Sequence, residues 1–114
     1  MTQKSRSRWK ARCTDETRFV EEFLRTNGRF EQVDAYRYNS GSIRLRVIDS
    51  RFENLPIEKR DAKVEKFLHQ LPEETQRDIM ILLTFAPTEL QATPETAREA
   101  LQNLEFENPS RSRL

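Results

Sequence analysis

The sequence predicts a small two-layer α+β domain with the order α-β-β-α-β-α. Its three strands would form a mixed sheet carrying the helices on one face. Three observations predict this. Residues 30–38 and 42–49 are strand-like runs joined by Asn39-Ser40-Gly41-Ser42, which is hairpin chemistry. A helical stripe follows, and then the near-continuous apolar run Ile79 to Phe85, which reads as a third, covered strand reached by a helical crossover. Finally, 114 residues with 35% hydrophobic content suit one domain with a modest core.

The first helix is expected from about Asp15 to Asn27. Thr14 or Asp15 can cap it, and Glu16 suits the positive end of its dipole. Phe19, Val20, Phe23 and Leu24 share one face, and Gly28 stands where a left-handed C-terminal cap is expected. In the second strand Ile43, Leu45 and Val47 point one way and Arg44 and Arg46 the other. Both arginines are read as outward, so replacing both with glutamate is expected to leave the fold intact. Pro56 opens the crossover helix, Ile57 to Leu71, whose stripe is Val64, Phe67, Leu68 and Leu71. Pro72 interrupts it, and Glu73-Glu74-Thr75-Gln76 adds one more helical turn. The last helix is expected to start at Thr93-Pro94-Glu95 and to dock through Ala97, Ala100, Leu101 and Leu104.

Net charge is only +1, but it is unevenly spread. Residues 1–13 hold five of the 20 basic side chains and no acid, while the rest holds 15 basic and 19 acidic, a net of −4. Neither period 2 nor period 3.6 is visible in residues 1–13, so they are read as a disordered basic arm. The domain proper is placed at residues 14–92, the last helix at 93–107, and a disordered tail at 108–114. The longest apolar run, Ile79 to Leu83, is far short of the roughly 18 residues that span a bilayer, and no signal-type stretch opens the chain. A soluble, cytoplasmic protein without a membrane role is the expectation.

The run Phe52-Glu53-Asn54-Leu55-Pro56-Ile57-Glu58-Lys59-Arg60-Asp61-Ala62-Lys63-Val64 resembles a BolA-like segment, F-x-G-L-S-x-x-x-R-H-R-x-V. Phe52, Leu55, Arg60 and Val64 fall in register with it. Ile79 to Leu90 is similar to that family's last strand and its T-P-E-E end, so the resemblance covers residues 15 to 92. It implies a small adaptor or regulator of a fold related to class II KH domains. Members pair with monothiol glutaredoxins and share an iron–sulfur cluster through a histidine just before the last strand, with a second ligand from the hairpin region; some are DNA-binding regulators. This chain departs at the ligands. Asp61 replaces the R-H-R histidine, the ligand histidine falls near Asp78, and Asn39 to Ser42 offers neither histidine nor cysteine. Thiolate and imidazole are the usual cluster partners. The resemblance with these departures therefore implies no cluster, no cofactor and no metal.

Other chemistry is thin. His69 is the one histidine, on a helix surface the motif does not use, and Cys13 is the one cysteine, so nucleophilic catalysis and an ordinary Cys/His metal site lack residues. Acid pairs such as Asp49 with Glu53, or Glu73 with Glu74, are expected by chance among 19 acids. Gly28 and Gly41 are too far apart for a G-x-x-G clamp or a phosphate cradle. Two binding surfaces remain. Tyr36, Arg37, Tyr38, Arg44 and Arg46 would form a Tyr/Arg face on the open sheet for a protein partner. Alternatively, Lys4, Arg6, Arg8, Trp9, Lys10 and Arg12, extended by the sheet arginines, would neutralise and stack on nucleic acid. The expectation is a non-enzymatic adaptor working through protein contacts, with the nucleic-acid reading as its rival.

Overall fold

The computed structural model describes residues 8–112. Helix α1 (Asp15–Phe23) starts at Thr14, whose hydroxyl accepts from the Thr17 N–H at 3.1 Å while the Thr17 hydroxyl accepts from the Thr14 N–H at 2.8 Å. It runs on into one wide turn, Leu24–Gly28. Strands β1 (Gln32–Asn39) and β2 (Ser42–Ile48) form the antiparallel hairpin. Helix α2 (Ile57–Leu68) and the short α3 (Glu73–Asp78) lead to β3 (Ile79–Phe85), which runs parallel to β2. The sheet order is β1-β2-β3, so the three-stranded mixed sheet matches the expectation. No helix among the described residues is long and apolar enough to cross a membrane.

The strand period sorts side chains onto two faces. Val33 pairs with Val47 and Ala35 with Leu45, and these pack with Val20, Leu24, Phe52, Val64 and Leu68 in the main core beneath α1 and α2. The opposite face is not open. Helix α4 (Ala97–Glu107) and a 3-10 turn at Arg8–Arg12 cover it, joining Trp9, Tyr36 and Phe106 in a second core with Tyr38 and Leu83 at its margin. The expectation of helices on one face only is corrected here. So is that of a disordered arm over residues 8–13, because Trp9 is buried and the Cys13 thiol reaches the Ala35 carbonyl. Lys4 and Arg6 lie outside the described residues.

Two smaller expectations also change. The left-handed residue is Arg29 (φ 57°), not Gly28, because the wide turn carries the helix one step further. Gly28 is instead needed for close approach: a Cβ there would lie 2.3 Å from Phe30 Cε2. That ring is held against Phe52 and edge-on to Phe67. Gly28→Ala is therefore expected to cost about 1–3 kcal/mol through overpacking. A thermal melt checks this, and an unchanged midpoint would show that Phe30 yields freely. Helix α4 begins at Ala97, later than expected, because the Thr96 hydroxyl bonds the Gln91 carbonyl and accepts from the Thr93 N–H, tying residues 91–96 into a turn.

Candidate functional site

The expected binding arginines sit in the second core. Asp34 faces Arg46 directly across the hairpin, and the Arg46 guanidinium bonds the Asp34 carboxylate at 2.7 and 3.1 Å. The same guanidinium reaches Asn103 Oδ1 at 2.6 Å and Glu107 Oε2 at 2.7 Å on α4, and lies over the Phe106 ring at 4.4 Å. Arg44 bonds Glu105 at 3.0 Å and covers the Tyr38 ring at 3.7 Å. Tyr36 donates its hydroxyl to the Phe106 carbonyl at 2.9 Å. Tyr36 is 0% exposed, Phe106 1% and Arg46 2%. These residues hold α4 on the sheet and present no open face. Their assignment as an exposed partner surface is corrected: acidic α4 lies over the arginines.

Arg37 belongs to the other face. It pairs in register with Ile43, and its guanidinium bridges Glu16 at 2.6 Å and Asp78 at 2.8 Å. It does not converge with Arg44 and Arg46. In the basic arm Arg8 and Lys10 are exposed, Arg12 donates to the Tyr38 carbonyl at 3.2 Å, and Trp9 is buried between Tyr36 and Phe106. A buried indole cannot stack on a base, so Trp9 is removed from the nucleic-acid surface. The docking residues of α4 were also misassigned by its small-residue stripe, since Leu101 is 67% exposed and Leu104 56%. The anchor is Phe106. The available signal was the acidic flank Glu105-Phe106-Glu107, complementary to Arg44 and Arg46.

Asp49 and Glu53 are bound separately, with Glu53 accepting from the Thr88 hydroxyl at 2.8 Å. Asp49 is fully buried, accepts from the Glu31 and Arg51 N–H groups, and pairs with the Arg51 guanidinium at 2.9 Å. Burial works to raise its carboxyl, but the Arg51 side-chain and backbone hydrogen bonds outweigh this and hold it below the ordinary 3.8. A depressed carboxyl adds stability that is present above its unfolded value and lost as pH falls through the folded one. Asp49→Asn is thus expected to flatten the acid limb of the stability profile below pH 3.8. Urea melts across that range check it; an unaltered acid limb would remove Asp49 from the account.

No model of a known protein family matches the chain, and no curated protein matches it in sequence. Two solved structures resemble it. BolA1 from Arabidopsis thaliana is 14% identical with a TM-score of 0.48, covering 67% of this chain and 96% of that one. The solution structure of BolA1 from Mus musculus is 19% identical with a TM-score of 0.56, covering 96% of this chain and 87% of that one. The chain has a BolA-like fold.

Within that BolA-like fold the motif residues take definite places. Asn54 stands where the BolA motif has glycine and adopts φ 60°, a left-handed conformation asparagine tolerates better than most residues. Arg60 is a buried brace, forked onto Glu89 at 2.7 Å through each terminal nitrogen, with further bonds to the Leu55 and Thr84 carbonyls. The residues at the positions compared above with that family's ligands have partners or chemistry of their own. Asp78 is committed to Arg37, Asp61 accepts from the Thr84 hydroxyl, and the Asn39–Ser42 turn offers only amide and hydroxyl groups. His69 is exposed at the end of α2, and among the described residues no three His, Cys, Asp or Glu side chains converge as a metal site.

Proposed function

We propose that this protein is a non-enzymatic BolA-like adaptor or regulator that works through protein contacts and ligates no iron–sulfur cluster. The observation that carries the reading is the Arg37–Asp78 ion pair. The BolA-like fold puts a residue just before the last strand, and here that residue is a carboxylate already bonded to a guanidinium. Contacts fall to surfaces left uncovered, the outer side of α4 and the edge of β3. The rival nucleic-acid reading keeps Arg8 and Lys10 on the surface but loses its stacking residue. In the test, the chain is mixed with a monothiol glutaredoxin under cluster-reconstituting conditions. The expected result is no visible-absorbing species containing both chains. A stable cluster co-eluting with both would overturn the reading.

A further inference from the structure

The two edges of the sheet are treated differently. On β1 the outer polar groups are occupied by side chains. Glu21 accepts from the Ala35 N–H at 2.8 Å, the Cys13 thiol donates to the Ala35 carbonyl, and Arg25 donates to the Val33 carbonyl at 3.3 Å. Such bonds block the addition of another strand. On β3 the Phe85 carbonyl accepts from the Asp49 N–H beside β2, so strand alternation turns the polar groups of Thr84 and Leu82 outward. Arg60 bonds the Thr84 carbonyl from that outer side and Thr84 is 4% exposed, which closes that end of the edge, but no described side chain reaches the Leu82 N–H and carbonyl. Leu82 to Phe85 floor a cleft of about 110 Å³ between Asp61 of α2 and Arg98, Glu99 and Gln102 of α4.

The walls state what would fit. On the α2 side stand Asp61 and Glu65. At the α4 wall Glu99 Oε1 is buried without a hydrogen-bond partner. On the outer face Ile81, Leu83, Leu101 and Phe106 line an apolar groove of about 370 Å³, with Leu101 open to solvent. A strand added to β3 would send alternate side chains to these two sides. We propose that the β3 edge accepts an extended segment of a protein partner in which basic side chains, facing Asp61 and Glu65, alternate with apolar ones entering the Ile81–Leu101 groove. The segment gains backbone hydrogen bonds from Leu82 and charge pairing from the walls. A second copy of this chain fits worse. Two-fold pairing of β3 would set Asp61 and Glu65 against the same carboxylates of its twin. The proposal rests on the protein-contact reading above and specifies its surface.

The probe is a blocked heptapeptide alternating valine with lysine, titrated into the intact 15N-labelled chain. The expected result is chemical-shift change and slowed exchange centred on the Leu82 amide, with binding weakened about tenfold in Glu65→Lys. Leu82→Pro, which removes an outward donor, is expected to abolish the shifts while circular dichroism shows an intact fold; should it fail to fold, Glu65→Lys decides alone. The proposal is overturned by absence of shifts at β3, by equal binding of a valine–glutamate peptide, or by a dimer of the free chain that occupies this edge. The two readings fail separately. If the peptide fails to bind while the intact chain still holds a protein partner, only the cleft is wrong. If the peptide binds but the chain has no protein partner, the adaptor reading is wrong and the cleft stands.

Discussion

Arg46→Ala is expected to destabilise the protein by about 3–5 kcal/mol, because it removes one side of a buried ion pair and leaves the others without it. The Arg46 side chain is 2% exposed, and its partners Asp34 and Glu107 are 15% and 31% exposed. That loss is a large share of the roughly 5–15 kcal/mol that holds a domain together. At about 4–8 °C per kcal/mol for a domain of this size, the thermal midpoint should fall by well over 10 °C. Arg46→Glu should do worse, placing three carboxylates together, so the Arg44→Glu, Arg46→Glu pair that the strand pattern permits is expected to break the second core. Trp9 is the chain's one tryptophan and packs in that core, so its emission reports whether α4 and the 3-10 turn leave the sheet before the main core melts. A second variant sharpens the test. Arg46→Leu with Asp34→Val replaces both cross-strand partners by apolar groups inside an aromatic box and should recover part of the loss. A melt unchanged in Arg46→Ala would show that α4 is not held on the sheet by these bonds.

Arg60→Ala is expected to cost a similar amount, about 3–5 kcal/mol, and for a related reason. One guanidinium binds four oxygen atoms of three groups. It forks onto both Glu89 oxygens and donates to the carbonyls of Leu55 and Thr84, tying the start of α2, the end of β3 and the turn beyond it. Arg60→Lys should recover little, since an ammonium cannot reproduce the planar fork together with the Leu55 bond. The pair also has an acid signature. Hydrogen bonds from Arg60 hold the Glu89 carboxyl below its ordinary 4.5, against the effect of burial. The stability Glu89 brings is present above pH 4.5 and lost as pH falls below it, so Arg60→Ala should weaken that part of the pH dependence. Denaturant melts of both variants across the acid range check the magnitude and the sign together. Full stability in Arg60→Ala would reduce the fork to a surface contact.

The two arginines differ in how much of their role could be read beforehand. Arg60 stands in register with Phe52, Leu55 and Val64 in the BolA-like segment, and that resemblance marked it. Its partner Glu89 lies 29 residues away, yet within the stretch that also resembles the family's strand end. Arg46 carried a different signal. Alternation with Leu45 and Val47 placed it opposite the main core, and that assignment holds. Alternation says nothing about what lies above a face, and the covering residues Asn103 and Glu107 are 57 and 61 positions away. Charge groups Arg37 with Arg44 and Arg46, but strand period 2 puts it with Val33 and Ala35.

By itself the sequence determined the order of elements, a cap at Thr14 or Asp15, and the hairpin and its faces. These are local properties, set by period, turn chemistry and residue identity. Only the tertiary structure decided that Arg8–Arg12 and α4 close over the outer sheet face, turning the expected contact arginines into interior braces. It also left the start of β3 exposed at Met80 and Ile81 while burying its end at Thr84 and Phe85. The physical reason is that solvation of a charged face and its neutralisation by distant acids look alike in a one-dimensional pattern. They separate only when Phe106 and its flanking carboxylates are brought onto Tyr36, Arg44 and Arg46.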